Sequence, residues 1–115
     1  KKVRLRSDFQ FDGSTLVAST ANNEVLKSQC EKAGVYLTHS ATFPKEIPLM
    51  SILSSTKEGD IVLDMFNGTS TSGEVALELG RSYIGFELNP SYVRASVVRL
   101  RNVDNQDQNS LNQAA

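Results

Sequence analysis

One stretch constrains the fold more than any other: Lys57-Glu58-Gly59-Asp60-Ile61-Val62-Leu63-Asp64-Met65-Phe66-Asn67-Gly68-Thr69-Ser70-Thr71-Ser72-Gly73. Gly59-Asp60 is a turn signal, and Ile61, Val62 and Leu63 follow as a continuous aliphatic run. Such a run suits a strand buried on both faces of a parallel sheet. Asp64 stands at its carboxyl end and a loop of small residues follows. Val75, Ala76 and Leu79 then recur at helical spacing, and Gly80 supplies the stop. Glu74, one turn into that helix, is expected to face solvent. Strand, carboxylate, small-residue loop and helix form the first half of a Rossmann-type βαβ unit, in which ligands bind at the carboxyl edge of the strands.

The ligand follows by elimination. A phosphate-cradling Gly-x4-Gly-Lys-Ser/Thr loop needs its lysine against the β- and γ-phosphates. Gly68 and Gly73 have that spacing, but Glu74 occupies the lysine position and would repel a triphosphate. A dinucleotide fingerprint needs Gly-x-Gly-x-x-Gly for close approach of the pyrophosphate. Here the loop has Gly68, Ser70 and Gly73, with serine in the middle place. Asp64 also suits a ligand with a cationic group better than an anionic one. The next strand, Arg81-Ser82-Tyr83-Ile84-Gly85-Phe86-Glu87, ends in a second carboxylate, where Rossmann-like folds hold ribose hydroxyls. An acid for an amino group and an acid for a ribose fit S-adenosyl-L-methionine.

The residues from Leu63 to Gly73 resemble the Asp-Pro-Phe-x-Gly-Ser-Gly-Thr-Thr cofactor loop of the DNA amino-methyltransferases. Upstream, His39-Ser40-Ala41-Thr42-Phe43-Pro44 resembles their His-x-Ala-x-Phe-Pro segment. Downstream, Leu79-Gly80-Arg81-Ser82-Tyr83-Ile84-Gly85-Phe86-Glu87 and Tyr92 match the stretch through the ribose acid. The order is that of the β-class, in which the catalytic half lies N-terminal to the cofactor half. The likeness covers residues 39–100 and departs at Met65, for the usual Pro, and at Ser70, for the second Gly. It implies an α/β fold: a partial Rossmann-like methyltransferase fold preceded by a β-hairpin. It also implies that S-adenosyl-L-methionine is held by His39, Ala41, Thr42, Phe43 and Pro44 around its amino-acid end and by Asp64 at the amino group. Phe66, Asn67, Gly68, Thr69 and Ser70 would follow the methionine portion, and Glu87 with Leu88 the ribose.

No catalytic residue is identified in this chain. The family attacks an exocyclic amine with Asp/Asn-Pro-Pro-aromatic at the end of a central strand. Asn89-Pro90-Ser91-Tyr92 resembles that box, but it lies two residues past the ribose acid at a helix start. No other such box occurs. The resemblance therefore implies the C-terminal, cofactor-binding portion of a site-specific DNA methyltransferase of the restriction–modification kind, with adenine-N6 favoured over cytosine-N4. The partners implied are double-stranded DNA and an N-terminal half or subunit carrying the catalytic box, and a dimer is left open. Two alternatives remain: a non-catalytic cofactor-binding or regulatory subunit of a split methyltransferase, and a nicotinamide-dependent Rossmann-like enzyme, against which the missing Gly-x-Gly-x-x-Gly speaks.

Composition sets the remaining bounds. A chain of 115 residues is one domain at most, with a marginal core. It opens on Lys1 rather than Met, so a fragment or a processed piece is expected. A formal charge of −1 argues against an autonomous DNA-binding module, which needs a basic face to neutralise phosphates. No apolar run reaches membrane-spanning length. The single cysteine, Cys30, excludes an internal disulfide and suits a reducing cytoplasm, where it is expected to be a buried, inert thiol. A lone histidine, His39, makes neither a metal site nor a triad.

Three parts are expected. Residues 1–38 form a hairpin and a helix, adjoining the target-recognition region if the resemblance holds. In the hairpin Val3, Leu5, Phe9 and Phe11 alternate with polar residues, Asp12-Gly13 is the turn, and residues 14–20 return. Asn22 or Asn23 caps a helix running to about Lys32, with Gly34 as its stop, and Val35-Tyr36-Leu37 is a short strand. Residues 39–101 form the cofactor half. Within it Leu49, Met50, Ile52 and Leu53 face the sheet from a helix entered near Pro44 and Pro48. Pro90 opens a last helix whose apolar side is Val93, Val97, Val98 and Leu100, with Arg94, Arg99 and Arg101 elsewhere. Residues 102–115 are rich in Asn, Gln and Asp and are expected to be a disordered tail.

Overall fold

A computed structural model describes residues 10–12, 15–38 and 41–114. Strands β1 (Gln10–Asp12) and β2 (Thr15–Val17) pair antiparallel, Phe11 opposite Leu16, as the alternation and turn signal predict. The expected strand residues before Gln10, and Gly13 of the turn, lie outside the described residues. Helix α1 (Glu24–Lys32) follows. Asn22 rather than Asn23 supplies the side-chain cap, its Oδ1 accepting from the Glu24 N–H at 2.8 Å. Gly34 closes the helix with φ +71°, where a Cβ would be strained. Val35-Tyr36-Leu37 is not a strand. It has no ladder partner among the described residues, and Val35 and Leu37 pack instead beside Leu26, Cys30 and Ala95.

Helix α2 (Glu46–Ser55) leads into strand β3 (Ile61–Asp64); helix α3 (Thr71–Glu78) then crosses to strand β4 (Ser82–Gly85). β3 and β4 are parallel, with Ile61 opposite Ser82 and Asp64 opposite Gly85. The βαβ unit of the central stretch is therefore formed. The Arg81 guanidinium fastens its base, donating to Thr56 Oγ1 and O and to Leu79 O at 3.0, 2.9 and 2.7 Å.

Strand alternation sends Val62 and Tyr83 to one face, against a core of Leu49, Ile52, Val75, Ala76 and Leu79. Full burial of each larger aliphatic side chain stabilises the fold by roughly 1.5–3 kcal/mol. Of the four α2 positions expected to face the sheet, Leu49 and Ile52 are buried, whereas Leu53 is exposed. The opposite sheet face is bare: Ile61 and Leu63 are 63% and 57% exposed, and Ile84 is 47% exposed. The expectation of a strand buried on both faces is thus corrected to one, because α2 and α3 both lie on the Val62 side.

Helix α4 runs from Pro90 to Ala114. Residues 102–114, expected to be disordered, continue this helix. Only Val103 among them is buried, but no Gly or Pro interrupts residues 91–114, and extending an existing helix is far cheaper than starting one. Asn102 and Ser110 also donate back to Val98 O and Gln106 O. No helix among the described residues is long and apolar enough to cross a membrane.

Candidate functional site

The parallel pair places two carboxylates at the same end of the sheet. Asp64 closes β3, and Glu87 lies two residues past the end of β4. The ladder extends into the loop between them. Phe86 N donates to Asp64 O, and Asn67 N to Phe86 O, both at 2.9 Å. Asp64 Oδ1 accepts from the Phe66 N–H at 2.9 Å, which turns the chain sharply after the strand. Glu87 grips the loop from the other side, its two oxygens accepting from Gly68 N and Asn89 N, each at 2.8 Å. The Asn89 N–H, together with that of Gly68, holds the Glu87 carboxyl below its ordinary pKa. A single loop is thus tied to both strand-end acids.

The loop itself turns at Gly68 (φ +55°) and Ser70 (φ +67°). Ser70 is the only described non-glycine residue with positive φ, a conformation that costs an L-residue roughly 1–2 kcal/mol. The side chains of Thr69 and Ser70 are buried, and among the described residues neither hydroxyl makes a well-formed hydrogen bond, although that of Ser70 lies beside the Tyr83 phenol. Asn67 is the opposite case. Its Oδ1 accepts from Tyr83 Oη at 2.7 Å, and its Nδ2 donates to Ser96 Oγ at 2.8 Å and to Gly68 O at 2.9 Å. Tyr83 Oη also lies 3.4 Å from Asp64 Oδ2. Burial pushes the Tyr83 phenol up to about 12; the Ser70 hydroxyl works against the shift and the Asp64 charge adds to it, so the phenol remains a donor at neutral pH.

Beside this loop opens a crevice of about 420 Å³, walled by Phe43, Ile47, Pro48, Leu63, Asp64, Phe66 and Ser72 among others. The structure brings Phe43, Asp64 and Phe66, 23 positions apart at the extremes, to the walls of one crevice, with Phe66 itself 90% exposed. Gly68 and Glu87 join them through the loop rather than as walls. Thr42 and Pro44 line a second cavity of about 370 Å³, which meets the crevice at Phe43. Ala41 and Leu88 are exposed, and His39 lies outside the described residues. Asn89 is spent on the start of α4, its Oδ1 accepting from Ser91 N at 2.9 Å.

Two residues missed by pattern reading shape the site's underside. Glu74, expected in solvent, is drawn inward between Lys45 Nζ at 2.7 Å and Arg99 Nε at 3.5 Å. Arg99 is 8% exposed and donates to Thr71 Oγ1 at 2.7 Å. Burial works against the Lys45 ammonium, but Glu74 and Glu78 outweigh it and keep its pKa above the ordinary value. The position where a triphosphate loop carries lysine is thus a carboxylate locked to α4. Cys30 is fully buried, and that burial pushes its thiol up. No three His, Cys, Asp or Glu among the described residues converge to hold a metal.

The donor set fits S-adenosyl-L-methionine. An acid faces the crevice at one strand end, a second acid sits at the neighbouring strand end, and a Cβ at Gly68 would meet open space on the loop between them.

Comparison with known proteins shows the family. The sequence profile of a family described as "DNA methylase" (N6_N4_Mtase) matches residues 13–98. The type II methyltransferase M.Cfr9I of Citrobacter freundii is 52% identical over 66 residues, covering 57% of this chain and 22% of that protein. The type II methyltransferase M.PvuII of Proteus hauseri is 35% identical over 83 residues, covering 72% and 24%. The DNA adenine methyltransferase YhdJ of Escherichia coli is 42% identical over 65 residues, covering 56% and 22%. Among solved structures, the PvuII DNA methyltransferase (cytosine-N4-specific) superposes with a TM-score of 0.60 at 31% identity, over 77% of this chain and 33% of that one. This chain therefore spans under a quarter of the length of these curated relatives.

Proposed function

We propose, for a chain that belongs to the N6/N4 DNA methylase family, that it is the S-adenosyl-L-methionine-binding portion of a DNA methyltransferase acting on the exocyclic amine of adenine or cytosine. The observation that carries this reading is the pair of strand-end carboxylates, Asp64 and Glu87, joined by the loop that Glu87 holds at Gly68. The cofactor, when bound, supplies a methyl group on a cationic sulfonium. Asp64 serves its ammonium group, Phe43 stands at the amino-acid end, Phe66 follows the methionine portion, and Glu87 accepts from the ribose hydroxyls. Ala41, Thr42 and Pro44 would surround the amino-acid end, to which the sequence motif also assigns His39, and Asn67, Gly68, Thr69, Ser70 and Leu88 would complete the binding segment. A carboxylate rather than a lysine at Glu74, tied to Lys45 and Arg99, disfavours a nucleoside triphosphate.

The acceptor chemistry belongs to polypeptide beyond these 115 residues. Here the only Asn-Pro-x-Tyr sequence caps α4 and lies outside the crevice walls. The catalytic half reads double-stranded DNA and presents the flipped base, a step that itself costs a few kcal/mol. The bare face of β3 and β4 suits contact with that half, since parallel sheets are covered on both faces. The test supplies labelled S-adenosyl-L-methionine and DNA to the 115-residue chain alone and to the chain with the remainder of M.Cfr9I, outside its matched segment. Transfer is expected only in the second case; transfer by the chain alone overturns the division of labour.

A further inference from the structure

Ser70 poses a physical question. It holds a left-handed backbone that strains an L-residue, it buries a hydroxyl that makes no well-formed hydrogen bond among the described residues, and yet it sits in the middle of the loop that Asp64 and Glu87 flank. Strain of this kind persists only where the surroundings over-determine it. Ser70 N donates to Asn67 O at 2.9 Å, so the residue that fixes Ser70 is Asn67.

Asn67 is fixed in turn at every polar atom. Its backbone N–H is held by Phe86 O, its Nδ2 by Ser96 Oγ of α4 and by Gly68 O, and its Oδ1 by Tyr83 Oη of β4. Two glycines make room for this arrangement. A Cβ on Gly85 would stand 2.5 Å from Asn67 Oδ1, and one on Gly73 would collide with Ser70 Oγ and the Tyr83 ring. The Tyr83 ring thus lies against α3 at one glycine and against β4's own Gly85 at the other. Its hydroxyl is left facing Asn67 and Asp64.

We propose that Tyr83 is a positioning residue for the donor loop: its hydroxyl, by holding the Asn67 side chain, keeps residues 66–70 in the shape that Ser70 alone would abandon. The phenol does not itself wall the crevice; its short hydrogen bond, at 2.7 Å, is to Asn67, while Asp64 Oδ2 stands farther off at 3.4 Å. This assignment rests on the reading of the loop as an S-adenosyl-L-methionine site for its affinity consequence, but not for its conformational one. Phenylalanine retains the ring between the two glycines and removes only the donor, so Tyr83→Phe isolates the hydroxyl. In a Ser70→Gly background the loop needs no such restraint, because glycine adopts positive φ freely.

Two measurements on the full chain decide it. In the first, hydrogen exchange at the Ser70 backbone amide is followed by NMR, with the Leu79 amide, bonded to Val75 O inside the core, as reference. Tyr83→Phe is expected to speed exchange at Ser70 by about tenfold, the scale of one lost hydrogen bond, and to leave Leu79 unchanged. In the second, titration calorimetry with S-adenosyl-L-methionine should show Tyr83→Phe weakening binding by about tenfold in the native background and by less than about threefold beside Ser70→Gly. Unchanged exchange at Ser70, or an equal loss in both backgrounds, overturns the proposal. If the native chain takes up no S-adenosyl-L-methionine, the cofactor reading fails, and exchange at Ser70 still decides the role of Tyr83.

Discussion

Glu74→Ala probes the packing beneath the site. In the native chain the Glu74 carboxylate bridges Lys45 on the approach to α2 and Arg99 on α4, and it lies 19% exposed. The Lys45 ammonium is 46% exposed, so that arm contributes about 0–1 kcal/mol. Arg99 is different. At 8% exposure it cannot recover solvation when its partner goes, and it would be left with the neutral hydroxyl of Thr71 at 2.7 Å in place of a carboxylate. Removing one member of a buried pair costs about 3–5 kcal/mol. The 3.5 Å separation and the residual exposure of Glu74 place the total near the lower end, about 3 kcal/mol. For a domain of this size that corresponds to a fall in Tm of roughly 10–20 °C. Urea unfolding followed by circular dichroism, at one fixed protein concentration, measures it. Replacing both partners, as Glu74→Leu with Arg99→Met, should recover most of the loss, because two apolar groups leave no buried charge unpaired. A Glu74→Ala chain within about 0.5 kcal/mol of native stability, the range of an ordinary surface substitution, would refute the reasoning.

Three further outcomes follow from the same structure. Ser70→Gly should stabilise the chain by about 1–2 kcal/mol, since relief of left-handed strain and of an orphaned hydroxyl exceeds the added chain entropy of about 0.5–1 kcal/mol; an unchanged or lower urea midpoint contradicts this. Glu87 has a folded-state pKa below its free value of 4.5, so its contribution to stability is fully present above 4.5 and is lost as pH falls through the folded value. A carboxyl-carbon NMR titration of Glu87 with its midpoint at or above 4.5 would remove that contribution. Finally, the bare face carrying Ile61, Leu63 and Ile84 should make the isolated chain self-associate as concentration rises in sedimentation experiments, and Leu63→Glu with Ile84→Lys should suppress it. A strict monomer with a sharp thermal transition would count against this.

What could be read before the structure was local. The run from Ile61 to Leu63, the acid after it, the small-residue loop and the 3.6-residue recurrence of Val75, Ala76 and Leu79 each lie within a few positions. Neighbour geometry alone fixes β3, α3 and β4, and with them the two strand-end acids. Asp12-Gly13 announced the hairpin for the same reason. What escaped was long-range. Arg99 meets Thr71 across 28 positions and Tyr83 meets Asn67 across 16, and no periodicity in either segment records the pairing. Tyr83 did carry a faint signal, a polar-tipped aromatic at the inward position next to outward Ile84. The helix through residue 114 is hidden by composition: Asn and Gln signal weak packing and suggest disorder, although nothing there breaks a helix already begun. Val35-Tyr36-Leu37 failed in the opposite sense, with strand-like residues but no neighbouring strand to pair with.

If the acids at the ends of β3 and β4 hold S-adenosyl-L-methionine as proposed, Glu87 is the side chain whose loss should be felt at the ribose. Hydrogen bonds from ribose hydroxyls to a carboxylate contribute roughly 1.5–3 kcal/mol each, and the same side chain also secures the loop at Gly68. Titration calorimetry of the chain joined to the remainder of M.Cfr9I should therefore show S-adenosyl-L-methionine bound in preference to NAD. Glu87→Ala should weaken that binding by at least ~30-fold, and Glu87→Gln by less, because the amide keeps one acceptor. Native affinity in Glu87→Ala, or preferential binding of NAD, would contradict the account.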